Sequence, residues 1–328
     1  MHSPVRWGIV GTGRVVVDSV GPAIAASVGS QLIACAGRNL DAAGDIARRF
    51  QAPRFYRTAE ELVADSEVDL VYVATANAHH KDAVLAAARA QKHVLCEKPL
   101  ALSVDDAHAM VQSCRDAGVI LRVAFQIRLE QMLHRVREII ASGQLGELRL
   151  ISFERTAHIA QPGAWRKDPR EGGILYDVAT HLLDLIPWLT GLSYREVFAF
   201  SHPDRRDNRA DDTIAILARV GEGCTAIVRA SRELPHAKND LIVEGSKGVL
   251  STSGVRWLDE YWLKVEDASG VHEERFAPTP VYRREVEAME RELAGERTVL
   301  PDGDEAIRMI ELANAIFESI DTRRAVSI

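Results

Sequence analysis

Apolar positions follow two different rhythms along the 328 residues of this chain. In roughly the first 124, short β-branched or continuously apolar runs occur at Val5–Val10, Gln31–Ala36, Val68–Ala74, His93–Cys96 and Ile120–Phe125. Between them, apolar residues three and four apart predict helices at Val15–Ala26, Leu40–Phe50, His79–Ala90 and Val104–Ala117. Continuously apolar strands alternating with amphipathic helices predict a parallel sheet covered on both faces. Thr58 with Glu61 three residues on has the form of a capping box, Ser103 with Asp105 and Asp106 that of a helix start, and Gly118 that of a helix stop. Pro22 falls inside the first helical pattern and should break or bend it.

After one more helical pattern, Gln131–Ser142, the rhythm changes. Leu148–Thr156, Arg195–Phe200, Thr213–Val220, Thr225–Ser231, Asp240–Glu244, Trp262–Val265 and Glu273–Phe276 read as strands joined by turns such as Gly221-Glu222-Gly223 and Gly245-Ser246-Lys247-Gly248. Strands without intervening helices predict a large, mainly antiparallel sheet. Helices at Arg283–Leu293 and Asp304–Asp321 close the chain. The fold class is therefore α/β, a doubly wound parallel sheet over 1–124 followed by an α+β domain with an open antiparallel sheet over 125–328.

Composition adds limits. Hydrophobic residues make up 47% and charged ones 27%, ordinary for a globular protein, and the net charge of -7 argues against a nucleic-acid partner. Cys35, Cys96, Cys114 and Cys224 show no metal-ligand spacing and read as structural thiols, so no metal is expected. With no long apolar segment, no leader or membrane partner is expected, and the cytoplasm is the anticipated compartment.

Candidate chemistry begins at Gly11-Thr12-Gly13-Arg14-Val15, where the first strand gives way to the first helix. Gly11 permits a tight turn and Gly13 a close approach of pyrophosphate to the helix start, the arrangement of a Rossmann dinucleotide site. Val16 occupies the third glycine position of that fingerprint. The second strand ends in Gly37-Arg38-Asn39 with no acid for a ribose hydroxyl, and Arg38 suits a 2′-phosphate, so NADP(H) is favoured and NAD(H) stays open. Farther on, Lys98 follows a strand end, and Asp177 and His181 lie four apart on a helical face, as proton transfer at a carbonyl or hydroxyl carbon would require. Trp165 offers an apolar face to a ring and Arg166 a hydrogen-bond fork; His158 is a further pocket candidate.

In their order, Gly11-Thr12-Gly13-Arg14, Thr75-Ala76-Asn77 with His80, Glu97-Lys98-Pro99, Arg128, Gly172-Gly173 and Asp177-to-His181 resemble the glucose-fructose oxidoreductase/inositol dehydrogenase/MocA family over nearly the whole chain. Within the family the look is that of the NADPH-dependent 1,5-anhydrofructose reductase type, through Arg6-Trp7-Gly8, His93-to-Leu100 and Trp165-Arg166. Ala76 stands where the family commonly has proline, and Gln126 near where it places Asn or a bulky polar group. The resemblance implies an NAD(P)-dependent oxidoreductase of a sugar, polyol or related carbonyl compound. It implies cofactor contacts at Thr75, Asn77, His80, Glu97 and Lys98, with Lys98 bonding the reacting hydroxyl, and Arg128 as a further substrate-site residue. It also implies that helices from about 281 to 328 return to the nucleotide domain, and that the outer sheet face forms a homodimer or homotetramer. Two alternatives remain at this point: a glycosidase of the same fold that uses NAD without net redox change, and a non-catalytic dinucleotide-binding regulator.

Overall fold

The computed structural model describes residues 3–159, 164–254 and 259–328. The chain forms two compact units, Met1–Gln126 with Pro280–Ile310, and Ile127–Thr279 with Glu311–Ile328.

The first unit holds β1 (Val5–Val10), β2 (Ser30–Ala36), β3 (Arg54–Tyr56), β4 (Leu70–Val73), β5 (His93–Glu97) and β6 (Leu121–Ala124). They pair in parallel in the order β3-β2-β1-β4-β5-β6. The order reverses between β1 and β4, which leaves a crevice at the carboxyl ends of those strands. β3 is absent from the apolar pattern because it is a three-residue edge strand in which no residue is buried. Trp7, Ile9, Leu70, Tyr72 and Leu95 are fully buried in this core. The local signals form as read: Glu61 N–H donates to Thr58 Oγ1 and Thr58 N–H to Glu61 Oε2, Asp106 N–H donates to Ser103 Oγ, and Gly118 has φ 66°. The first helix accommodates Pro22 by a π turn over Val16–Val20 before the α-helical Gly21–Ala26, with Pro22 in its first turn. That placement removes the demand for an amide hydrogen that proline lacks.

The helix Val281–Leu293 and the start of Gly303–Thr322 belong to this unit. Glu290 Oε1 accepts from both Ser27 and Ser30 hydroxyls at 2.6 Å, and Trp7 Nε1 donates to Ser30 Oγ at 2.8 Å. Arg122 Nη2 meets Glu292 Oε2 at 2.6 Å with the carboxylate side chain 3% exposed.

The second unit is built on β7 (Leu148–His158), β8 (Tyr194–His202), β9 (Thr213–Val220), β10 (Cys224–Ser231), β11 (Glu233–Gly245), β12 (Gly248–Thr252), β13 (Tyr261–Asp267), β14 (Gly270–Phe276) and β15 (Val326–Ser327). Their order is β14-β13-β12-β11-β7-β10-β9-β8-β15, antiparallel except for the β7–β10 pair. β12 was not evident as a strand, and β11 runs seven residues upstream of its apolar part through the polar stretch Glu233–Asn239, where its register with β7 shifts. The helix Thr180–Thr190 lies in this unit with nine of its residues buried, and the turn before it packs on β10. Pro187 inside it leaves the Leu183 carbonyl without an intrahelical donor. The Tyr194 hydroxyl supplies one at 2.9 Å.

Burial works to raise the Glu292 carboxyl, but the Arg122 and Thr298 bonds outweigh it and hold that group below its ordinary range. A depressed carboxyl contributes stability that is present above its unfolded pKa and lost as pH falls through the folded one. Arg122→Met should therefore destabilise by about 3 kcal/mol at neutral pH and by less near pH ~3. Urea unfolding at the two pH values checks this, and an equal loss at both contradicts it.

Candidate active site

In the first unit the functional candidates gather at the strand ends. Gly11 has φ 125°, and a Cβ there would run into the Ala74 carbonyl, so the turn after β1 admits only glycine. Gly13 is exposed, and a Cβ on it would meet nothing within 4 Å. The open backbone beside the helix start is the space a pyrophosphate needs. Thr12 is half-buried, Val15 opens the π turn, Val16 is fully buried as core, and Arg14 pairs outward with Asp18 at 3.3 Å. Arg38 is exposed just beyond β2 and has no ion-pair partner among the described residues, so its charge is available to a 2′-phosphate. The Thr75 hydroxyl oxygen is buried without a partner at the end of β4. Ala76 takes φ -64°, the value a proline ring would impose, so the departure from the family residue leaves the backbone unchanged. Asn77 is buried in the short turn that follows.

His80 is fully buried, with Nδ1 2.9 Å from the Pro99 carbonyl and Nε2 3.3 Å from that of Thr75. It is a strut between the ends of β4 and β5 rather than a group facing open space. Glu97 Oε1 accepts from the Tyr72 hydroxyl at 2.6 Å and Oε2 from the Lys98 amide at 3.3 Å. Burial first, and the Glu97 charge next, push the Tyr72 phenol well above its ordinary range, so it stays a donor and fixes the carboxylate. Lys98 follows half-buried, with a cis peptide to Pro99. These features fit a nicotinamide dinucleotide: a glycine turn, open backbone at a helix start, an unpartnered hydroxyl and a free arginine at the ribose end. Among the described residues no cluster of three or more His, Cys, Asp or Glu side chains has the arrangement of a metal site.

In the second unit Asp177 lies in a π turn, Leu175–Ala179, that leads into the α-helix Thr180–Thr190 carrying His181. A π turn is wider than an α turn, so the helix start that carries Asp177 departs from regular α-helical geometry. Arg166 gives Nε to Asp177 Oδ2 at 2.7 Å and Nη2 to Oδ1 at 3.2 Å, while its guanidinium stacks 4.4 Å from the Trp165 ring. Two donors of the Arg166 fork therefore hold Asp177. Arg128 is likewise buried, giving Nε and Nη2 to Asp184 at 2.7 and 2.6 Å, which ties the start of this unit to the same helix. A cavity of about 420 Å³ opens where β7 and β10 end and β9 and β11 begin. His158, Lys167, Arg209, Asp212, Arg232 and Glu233 line it.

Asp211, Arg232 and Tyr72 were not singled out from sequence. Asp211 and Arg232 lie 36 residues or more from the groups they bind in the 166–175 segment, beyond any local spacing rule. The available signal was an arginine ending the apolar β10 pattern and an acid pair opening β9.

The family model described as an oxidoreductase family with an NAD-binding Rossmann fold matches residues 5–125. The GFO/IDH/MocA C-terminal domain model matches residues 133–251. A D-xylose 1-dehydrogenase (NADP(+)) of Haloferax volcanii is 33% identical, covering 99% of this chain and 100% of its own. A 1,5-anhydro-D-fructose reductase of Ensifer adhaerens is 26% identical over 98% of each. The solved aldose-aldose oxidoreductase of Caulobacter crescentus, complexed with glycerol, shares the fold with a TM-score of 0.90 at 24% identity, covering 99% of this chain and 100% of its own.

Proposed function

The chain belongs to the GFO/IDH/MocA oxidoreductase family, and from that premise we propose that it interconverts a hydroxyl and a carbonyl group on a sugar, polyol or keto-sugar, with NADP(H) as the preferred cofactor. The observation that carries the reading is the presence, in one chain, of a glycine turn after β1 fit for a dinucleotide, Lys98 just beyond β5, and an acid and a histidine four residues apart at a helix start. When bound, the nicotinamide supplies or takes up a hydride. The residues handle the proton. Lys98 is the residue we assign to bond the reacting oxygen, as the resemblance implies, and His181 the residue we assign to exchange the proton, imidazole being the side chain best suited to general acid–base work. Asp177, oriented by Arg166, holds the substrate or the imidazole in register.

A net redox reaction is favoured over the glycosidase alternative because the full-length relatives bear the names of dehydrogenases and reductases. The presence of Lys98, Asp177 and His181 argues against a non-catalytic regulator. The cytoplasm is proposed from the four buried free thiols; among the described residues no helix is long and apolar enough to cross a membrane.

We place a second copy of this chain on the exposed face of the second sheet. Leu217, Ile227 and Ile242 are 50%, 40% and 36% exposed, and the register aligns them across β9, β10, β7 and β11 with Ser152 between. Exposed apolar side chains aligned across a sheet face in this way are typical of an interface.

Incubating the protein with NADPH and keto-sugars, or with NADP+ and aldoses, inositols and other polyols, should show cofactor turnover by absorbance. Lys98→Ala and His181→Ala should each lower kcat by about 100-fold or more. Unchanged turnover in both refutes the assignment. Arg38→Asp should raise the KM for NADPH by about tenfold or more and improve use of NADH; equal NADPH affinity contradicts the role of Arg38. Replacing Leu217 and Ile227 together by Glu should yield monomers in analytical ultracentrifugation, and an unaltered assembly rules out this face.

A further inference from the structure

The helix that carries Asp177 and His181 begins without a cap of its own. Ile174 stands at its N-terminal boundary and makes no side-chain capping bond. The first backbone N–H groups of a helix have no partner inside it, and a buried start must find them elsewhere. Here they come from a remote strand entrance. Ile174 N–H donates to the Asp211 carbonyl at 2.7 Å and Leu175 N–H to Asp211 Oδ2 at 2.8 Å. Asp211 is thus an N-cap supplied from a residue 36 positions away.

A second group holds the cap in place. The Arg232 guanidinium is almost fully buried. Its Nε donates to Asp212 Oδ1, and its Nη2 donates to the Asp211 carbonyl at 3.2 Å and to the Arg166 carbonyl at 2.9 Å. The same Arg166 carbonyl accepts from Gly173 N–H at 3.0 Å, and the Arg166 side chain binds Asp177. One guanidinium therefore joins the segment that orients Asp177 to the segment that caps its helix. Glycines make the approach possible. Gly173 has φ 96°, and a Cβ on it would collide with Asp211 Oδ1; a Cβ on Gly172 would collide with the Trp165 carbonyl.

The cluster is costly to keep. Asp211 Oδ1 and Arg232 Nη1 are buried without hydrogen-bond partners. Burial raises the Asp211 carboxyl, against the lowering effect of the Leu175 amide and the Arg232 charge. Buried charges that are incompletely paired add little stability compared with apolar packing, and their best-attested use is to fix one geometry.

Resting on the oxidoreductase reading above, we infer that Asp211 and Arg232 are positioning residues that cap and clamp the start of the helix bearing Asp177 and His181. The geometry of those two groups is then set by the β9 and β10 ends rather than by the helix's own sequence. The role assigned to both is to hold the helix start, with no contact to the reacting atoms invoked.

The test compares Asp211→Asn, which keeps an acceptor for Leu175 N–H, with Asp211→Ala, which removes it; Asp211→Ser, with a shorter acceptor, stands in if the alanine variant does not fold. Well below the unfolding temperature, Asp211→Ala should lower kcat by about tenfold or more, while Asp211→Asn stays within about threefold of the wild type. NADPH affinity, measured by fluorescence, should change by less than about twofold in both. Amide hydrogen exchange over 174–181 should accelerate in Asp211→Ala and be restored in Asp211→Asn. Unchanged exchange in that segment, or an alanine variant that loses thermal stability with kcat intact, overturns the inference. Should the wild type turn over no carbonyl or hydroxyl compound, the functional reading fails, and the exchange comparison still decides whether the clamp exists.

Discussion

A buried helix start must have its free amide hydrogens answered from outside the helix. In the second unit that demand is met by Asp211, and the arrangement of the candidate chemistry there follows from it. The cap fixes where the helix begins, Gly172 and Gly173 give the room for the approach, and Arg232 ties the cap to the segment from which Arg166 reaches Asp177. The corresponding constraint in the first unit is the contact between Gly11 and the Ala74 carbonyl, which brings the β1 turn against the end of β4 and leaves the backbone at Gly13 open. In both units glycine serves close backbone approach, and several candidate groups are held by partners distant in sequence.

The polar residues divide accordingly into those held and those left available. His80, Glu97, Arg128 and Arg166 all have partners that fix them: strand-end carbonyls, Tyr72, Asp184 and Asp177. Several of these match the motif positions that resembled cofactor or substrate contacts. Arg38 and Gly13, by contrast, are exposed, and His158 opens onto a cavity. Several motif positions are thus also held by bonds within their own unit.

Much of the fold was legible because burial on both faces writes a parallel strand as a continuous apolar run. β1, β2, β4, β5 and β6 were found that way. β3 was not, since three half-exposed edge residues carry no such run. The upstream half of β11 was hidden by its polar residues, and the π turns have no periodic signature short enough to read. Among the candidate residues, Lys98, Asp177 and His181 stood out by residue type and spacing. The Arg166–Asp177 pair was invisible because a double-glycine turn reverses the chain between them, and Asp211 and Arg232 act across separations that no local pattern records.

The central claim is that this chain moves a hydride between a nicotinamide and a carbon bearing oxygen. The most direct measurement follows the atom itself, with NADPH deuterated at its transferable position and the product of any carbonyl compound consumed analysed by mass spectrometry. One deuterium on the former carbonyl carbon is the predicted result. Conversion of substrate with no deuterium in the product would contradict the account.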